Sequence, residues 1–160
     1  MDPELLKNTA RRWIISIWND QDFTVLRDLG SPEYVYRVAG KEEVRPDGLP
    51  KYVARLHAAF PDLHNTIEAQ IAEAGTVVTR GTTHGTHLSP LGDIPATGRT
   101  MAVPWVMITR FAQGRVVEDC EYYDELLLLQ QLGVAPSRRP GASPSRPSPG
   151  GSPPASACCE

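Results

Sequence analysis

The first part of the chain shows the helical spacing of apolar residues. Between positions 3 and 19, apolar side chains recur every three or four residues and fall on one stripe of a helix. The members of this stripe are Leu6, Ala10, Trp13, Ile14, Ile17 and Trp18. The same reasoning predicts a short helix over 22–29, ended by Gly30, and a third helix over 49–60, stopped by Pro61.

After Pro61 the pattern changes to that of β-strands. Segments 63–72, 76–87, 101–111 and 115–123 are rich in Val, Ile, Thr and aromatic residues and are separated by turn residues. We also predict a short strand over 34–38 and a last helix over 124–132, closed by Gly133. Helices followed by an antiparallel meander indicate an α+β domain, with the helices on one face of a curved sheet. Such a cone has an open mouth that suits a small-molecule pocket.

The end of the chain has a different composition. From 136 to 160 it is dominated by Pro, Ser and Gly and contains no large apolar side chain. A segment of this kind buries too little apolar surface to offset its ordering entropy. We therefore expect one domain over 1–135, which is an ordinary size for a single domain, and a disordered tail over 136–160.

Charge and cysteine content narrow the class of protein. The net charge is −3 and the tail holds three arginines against one glutamate, so the domain itself is acidic and unsuited to nucleic acid. Cys120 is alone in the domain, which excludes a disulfide framework. The sequence shows neither a signal-peptide core nor an apolar run of membrane-spanning length. We expect a cytoplasmic protein that does not bind a membrane.

Three stretches together resemble one known family. They are FPDLHNTIEAQIAEAGTVVTRGTTHGTH at 60–87, PATGRTM at 95–101 and RFAQGRVVEDCEYYDELLLLQQLG at 110–133. Over roughly residues 5–134, the sequence is similar to the SnoaL-like polyketide cyclases, also called ester cyclases, of the nuclear transport factor 2-like superfamily. The resemblance implies a cone-shaped, curved antiparallel sheet packed against three N-terminal helices. Because this fold hosts many chemistries and also pure binding proteins, it does not fix the reaction.

The resemblance also implies a cofactor-independent cyclase or isomerase. Its substrate would be a carbonyl-containing, polyketide-like secondary metabolite, as in antibiotic biosynthesis, closed in an aldol-type ring by general acid/base catalysis. The sequence has no phosphate loop, Ser/His/Asp order or Cys/His metal cluster, so we expect neither cofactor nor metal. Two alternatives stay open: an epoxide-opening cyclase or hydrolase in the same pocket, and a non-catalytic small-molecule-binding module. Because exposed faces of such sheets commonly pair, we expect a homodimer.

Two residues are candidates for catalysis. Asp124 stands where the family carries the aspartate that acts as general acid/base, shortly before Leu-Leu-Gln-Gln-Leu-Gly. The alternative role for Asp124 is the N-cap of the last helix. His87 occupies the histidine of the family's Gly-Thr-His segment, where it would hydrogen-bond a substrate carbonyl or orient Asp124. Its alternative is a histidine at a hairpin end, satisfied by the backbone.

Further residues are predicted to shape the pocket. Strict alternation along the last strand places Cys120 and Tyr122 on the same face as Asp124, and we expect this face to line the cone. Relatives commonly have Trp at the position of Cys120, so the smaller thiol would enlarge the pocket. Aromatic and thioether surface would come from Trp18, Tyr36, Trp105 and Met107, each of which is alternatively plain core.

Overall fold

The computed structural model describes residues 2–38 and 43–136. Four helices and six strands follow one another along the chain. They are α1 (Pro3–Trp18), α2 (Thr24–Leu29), β1 (Gly30–Val38), β2 (Glu43–Val44), α3 (Leu49–Ala59), β3 (His64–Glu73), β4 (Thr76–Thr86), β5 (Thr100–Ala112), β6 (Arg115–Tyr123) and α4 (Glu125–Leu132). The predicted tail over 136–160 lies, apart from Pro136, outside the described residues, and its disorder stays a prediction, as does the division at residue 135.

The helices begin and end where the sequence has capping and breaking residues. Asp2 accepts a hydrogen bond from the Glu4 amide at 3.0 Å, and Pro3 fills the first turn of α1. All six members of the predicted apolar stripe are buried. Helix α2 starts two residues later than predicted because the Asp22 carboxylate accepts from both the amide and the hydroxyl of Thr24, which turns the chain there. Helix α4 ends at Gly133, whose φ of 77° permits a left-handed C-cap.

One curved sheet carries the fold, with strand order β2-β1-β6-β5-β4-β3. Strands β3 to β6 form the predicted antiparallel meander, and β1 begins earlier than predicted, at Gly30. One pairing departs from an all-antiparallel sheet, since β1 runs parallel to β6. Two parallel neighbours need a long connection between them, and here α3 and strands β3 to β5 lie between β1 and β6 in the chain. The pattern-based prediction of an α+β domain is confirmed.

A bulge in β6 decides which side chains face the interior. The β5–β6 turn holds Gln113 and Gly114, both with positive φ, and next to it Phe111 is the register partner of Val116. One step further along, Arg110 pairs with Glu118, so β6 carries one extra residue between these pairs. An extra residue shifts the register and turns every following side chain to the other face.

The core lies between the inner sheet face and the helices and has two main parts. One cluster surrounds Trp13 and Tyr34 and includes Val116 at the start of β6. The other lies at the opposite end of the sheet and includes Phe60, from the end of α3, and Leu132, from α4. Within the described residues, none of the helices combines the length and apolar character that a membrane crossing requires.

Candidate functional site

A cavity of about 820 Å³ opens between the helices and the inner face of the sheet. Its volume falls within the range that holds drug-sized ligands. The walls come from α1, β1, α3, the inner faces of β4 to β6, the β4–β5 connection and α4. Most of the lining is aromatic or aliphatic, and its large members are Trp18, Tyr36, Tyr52, Phe60, Met101, Trp105, Met107 and Tyr123. The cavity therefore suits a largely apolar, ring-containing molecule.

Three aromatic rings form one continuous wall of this cavity. The centroids of Trp18 and Tyr36 are 5.1 Å apart, and those of Tyr36 and Tyr52 are 5.7 Å apart. Trp18 and Tyr52 meet edge to face, with centroids 6.2 Å apart. Such spacings are those of mutually stabilising aromatic pairs. Trp18 and Tyr36 are 7% and 1% exposed, so both rings are packed on nearly all sides.

A carboxylate meets a phenol at the edge of this aromatic wall. The Tyr36 hydroxyl donates a hydrogen bond to Glu121 Oε2, and both residues line the cavity. Burial, followed by the negative charge of Glu121, raises the pKa of Tyr36 well above its usual value, so the phenol stays protonated and remains a donor. Glu121 is half-buried and lines the cavity, so its carboxylate is accessible to a molecule bound there. This pair is able to exchange a proton with a bound molecule.

A second carboxylate on the same strand face has different surroundings. Asp119 is fully buried and accepts hydrogen bonds from Trp13 Nε1 at 2.7 Å, from the Tyr34 hydroxyl at 2.8 Å and from Thr109 Oγ1 at 2.6 Å. Burial raises the pKa of Asp119, and these three donors partly oppose the shift. Asp119 is not part of the cavity lining. It holds α1, β1, β5 and β6 together and is not placed to meet a ligand.

The remaining charged residues of the cavity wall lie on two helices. Lys51 and Arg55 are exposed, stand one turn apart on α3 and both line the cavity. The Arg55 guanidinium lies over the Tyr52 ring, 5.6 Å from its centroid. Glu125, at the start of α4, is an exposed acidic member of the lining. The basic and acidic lining residues therefore come from different elements.

Four of the residues predicted to shape the pocket lie in its wall. Trp18, Tyr36, Trp105 and Met107 all line the cavity and are at most 7% exposed. The Trp105 ring packs directly on Gly81, where a Cβ would collide with it. Trp105 Nε1 is buried and has no hydrogen-bond partner among the described residues. The predicted contacts of these four residues with a substrate stay predictions.

The placement of Cys120 and Tyr122 in the cavity is wrong. Tyr122 is 52% exposed, and neither residue belongs to the lining. The physical reason is the bulge in β6. Uninterrupted pairing from the turn would set Met107 opposite Cys120, whereas the extra residue sets Met107 opposite Glu121. Asp119, Glu121 and Tyr123 consequently face inward, and Cys120 and Tyr122 lie on the outer face.

Asp124 takes the structural role that the sequence left open. Its carboxylate accepts a hydrogen bond from the Leu127 amide at 2.8 Å and thereby caps α4. The side chain is exposed and is not part of the cavity lining. The structure therefore does not bring Asp124 together with Trp18, Tyr36 and Trp105, and its predicted acid/base role gains no support from the geometry.

His87 directly follows β4 and lies behind the cavity wall. It is fully buried and stacks on Phe60 with ring centroids 5.1 Å apart. His87 Nδ1 lies 3.1 Å from Thr97 Oγ1, whereas Nε2 has no partner among the described residues. Phe60 lines the cavity and His87 does not. A direct contact of His87 with a substrate therefore stays a prediction.

Sequence reasoning missed Glu121. Strict alternation puts Glu121 on the face opposite Asp124, so the expectation that the Asp124 face lines the cone leaves Glu121 outside it. No signal in the sequence singles Glu121 out, because each of the two alternating sets of side chains holds two carboxylates, Glu118 and Asp124 in one and Asp119 and Glu121 in the other. Among the described residues, no group of three His, Cys, Asp or Glu side chains is close enough to hold a metal ion.

Comparison with known proteins decides the family. The family model for SnoaL-like polyketide cyclases matches residues 8–132. The chain belongs to the SnoaL-like polyketide cyclase family. Curated proteins give no sequence match. The resemblance noted on the three sequence stretches is thereby confirmed, and the matched range covers every helix and strand described above except the first residues of α1.

Solved structures place this SnoaL-like chain among proteins of known architecture. AclR of Streptomyces galilaeus, a proposed hydroxylase, is 26% identical over 85% of this chain and 89% of its own, with a TM-score of 0.74. IdmH of Streptomyces antibioticus, a proposed polyketide cyclase, is 27% identical over 81% and 99%, with a TM-score of 0.69. A protein of Catenulispora acidiphila with a ketosteroid isomerase-like fold is 19% identical over 80% and 93%, with a TM-score of 0.66. The predicted fold, a curved sheet packed against helices, is therefore confirmed, and it is shared with a protein of ketosteroid isomerase-like fold.

Proposed function

We propose that this SnoaL-like protein closes a ring in a carbonyl-containing, polyketide-like substrate by general acid/base catalysis, with Glu121 as the acid/base. The observation that carries the proposal is the Glu121–Tyr36 pair at the edge of an apolar, aromatic-walled cavity. The family and the proposed cyclase IdmH support the reaction class. In this proposal Glu121, on β6, takes the role predicted for Asp124, which follows β6 and caps α4.

The proposed reaction needs one group that both takes and returns a proton. The Glu121 carboxylate removes a proton from a carbon that lies between two carbonyl groups. The resulting enolate carbon attacks a second carbonyl of the same molecule, forming one carbon–carbon bond and an alkoxide. Protonated Glu121 then returns its proton to that alkoxide, so that the site ends as it began. Tyr36 positions the carboxylate throughout by its hydrogen bond.

The cavity supplies the remaining contribution by holding the substrate in a reactive shape. A flexible polycarbonyl chain reacts with itself slowly because few of its conformations bring the reacting carbons together. The flat wall of Trp18, Tyr36 and Tyr52 favours a folded, ring-like arrangement of such a chain.

We include a homodimer in the proposal, formed through the outer sheet face, where Ile71 and Tyr122 are exposed.

A second candidate function is favoured by the same pair. Opening of an epoxide needs a carboxylate and a phenol, or two carboxylates, that converge on the oxirane, and Glu121 and Tyr36 are such a combination. In that reaction Glu121 would activate water or an internal hydroxyl. Tyr36 would then have to turn its hydroxyl from Glu121 to the epoxide oxygen.

Two bicyclic probes test these functions. Solvent deuterium exchange at the α-carbon of 2-tetralone, followed by NMR, measures proton abstraction by the protein. Hydrolysis of indene oxide measures epoxide opening. We expect exchange above the buffer rate, and Glu121→Gln should lower the protein-catalysed rate by about 10²- to 10⁴-fold.

Asp124→Asn is the matched control. It makes the same change from acid to amide, three residues away, and keeps the cap because asparagine caps helices as well as aspartate does. Exchange that survives in Glu121→Gln but disappears in Asp124→Asn would return the role to Asp124. Hydrolysis of indene oxide without exchange on 2-tetralone would favour the epoxide reaction. Binding of both probes with turnover of neither would indicate a binding module.

A further inference from the structure

Two cations in the cavity lining take no part in the proposed chemistry. Lys51 and Arg55 line the cavity from α3, at positions i and i+4, and project from one side of that helix. Within residues 2–38 and 43–136, neither side chain forms an ion pair. Most other basic side chains with a described partner, among them Arg37, Arg80 and Arg110, contact a carboxylate.

The distance between these cations and Glu121 is spanned by aromatic rings. Arg55 lies over Tyr52, Tyr52 is the neighbour of Tyr36, and Tyr36 donates to Glu121. Two rings of the aromatic wall, those of Tyr52 and Tyr36, thus separate the Arg55 cation from the proposed acid/base. A ring-containing molecule lying along that wall would place one end at Glu121 and its other end at Arg55 and Lys51.

We propose that Lys51 and Arg55 form a subsite for a carboxylate carried by the substrate at the end remote from the reacting carbon. This inference rests on the proposed function of the cavity and adds the chemical class of the substrate, an aromatic or polycarbonyl acid. Arginine pairs with a carboxylate through two parallel N–H donors, and lysine adds a second positive charge from the next turn.

The test measures binding, not turnover. Calorimetric titrations compare 2-naphthoate with 2-naphthamide, which has nearly the same shape and no charge, on the full-length protein and on Lys51→Gln, Arg55→Gln and the double variant. The wild-type protein should bind naphthoate about three- to tenfold more tightly than naphthamide, as expected for charge pairs near a surface. Each single variant should reduce that ratio, the double variant should bring it close to one, and naphthamide affinity should stay unchanged.

Arg80→Gln is the matched control variant. Arg80 is a 63% exposed arginine on the outer sheet face, paired with Glu68, and its removal changes the net charge equally. The carboxylate preference should persist in this variant and should weaken with rising ionic strength in the wild type.

The outcomes separate the two proposals. Equal binding of the two probes by the wild type, or a preference that survives in the double variant, would overturn the carboxylate subsite and leave the cavity function standing. Failure of both probes to bind would overturn the aromatic-binding cavity and the subsite with it. Because Lys51 and Arg55 are exposed, their variants should melt at the wild-type temperature, and a lowered melting temperature would contradict their assignment to the cavity mouth.

Discussion

Two tyrosine–carboxylate pairs lie side by side in this protein and perform different tasks. Tyr34 and Tyr36 are two residues apart on β1, and their hydroxyls donate to Asp119 and Glu121, two residues apart on β6. Each pair bridges the same two parallel strands on the same face of the sheet. The residue types and the spacing are nearly identical, so the difference between the pairs comes from what else surrounds each carboxylate.

Asp119 accepts hydrogen bonds from three buried side chains, whereas Glu121 lines the cavity. Trp13 and Thr109 add two more donors to Asp119, and Asp119 is not part of the lining of the cavity described above. Glu121 lies one pleat further along, where the cavity separates the helices from the inner face of the sheet. A buried carboxylate with several fixed donors stabilises the fold, and a carboxylate beside a cavity is available for chemistry.

Loss of the buried Tyr34–Asp119 pair should give the largest effect on stability. Asp119→Ala leaves three buried donors, on Trp13, Tyr34 and Thr109, without an acceptor. Each unsatisfied group costs about 1–3 kcal/mol, so urea denaturation should show a loss of at least about 3 kcal/mol in the free energy of unfolding. In the matched variant Glu121→Ala one buried donor, the Tyr36 hydroxyl, loses this acceptor, so the loss should be smaller, about 1–3 kcal/mol. Similar losses in both variants would remove the distinction between the pairs.

Removal of the Tyr34 or the Tyr36 hydroxyl should have smaller effects on stability and should separate the roles of the two pairs. Tyr34→Phe deletes one donor to Asp119 and should cost about 1.5 kcal/mol in unfolding, with catalysis unchanged. Tyr36→Phe should cost less stability and lower the exchange rate on 2-tetralone by on the order of 10- to 100-fold, because Glu121 loses the group that orients it. A catalytic defect in Tyr34→Phe with none in Tyr36→Phe would reverse the assignment of the two pairs.

The third carboxylate at this end of the sheet, Asp124, should affect only helix stability. Asp124→Ala removes the side-chain acceptor for the Leu127 amide and should lower the free energy of unfolding by about 1 kcal/mol. The rate of exchange on 2-tetralone should not change. Urea titration and the NMR assay, run on one preparation, check both parts. A large loss of rate at unchanged stability would show that Asp124 takes part in catalysis.

The pH dependence of stability should show the smallest effect. Because burial raises the pKa of Asp119 above its ordinary value near 3.8, the folded protein holds this proton to higher pH than the unfolded chain does. The stability that the protonated group contributes is therefore fully present below 3.8 and is lost as the pH rises through the raised pKa. The three hydrogen-bond donors to Asp119 oppose part of the effect of burial on its pKa.

Asp119→Asn isolates this contribution, since an amide does not titrate. The wild type minus variant difference in unfolding free energy, measured at a series of pH values, should fall with rising pH just above 3.8. Asp22 and Asp62, whose pKa values are lowered chiefly by their hydrogen bonds with Thr24 and Thr86, act in the opposite sense but equally in both proteins. A difference that rises with pH would mean that the hydrogen bonds outweigh burial at Asp119.

Much of the fold was predictable from the sequence because its signals are local. The apolar stripe of α1, the caps at Asp2 and Gly133 and the turn at Gln113–Gly114 each depend on residues a few positions apart. Spacing and capping act on the chain before any distant part is in place, so these elements follow from the sequence alone. The resemblance to the SnoaL-like cyclases rests on the same kind of evidence and led to the correct family.

Only the tertiary structure decided which residues of β6 form the site. Strict alternation favours Cys120, Tyr122 and Asp124, and a single extra residue near Val117 reverses the two faces. Whether a strand forms a bulge depends on how it packs against its neighbours, here α1 through Trp13 and the parallel strand β1 through Tyr34. These partners lie 106 and 85 residues away, so no local pattern contains them. The sequence determined the elements, and long-range packing selected Glu121 to face the cavity and Asp119 to be sealed beside it.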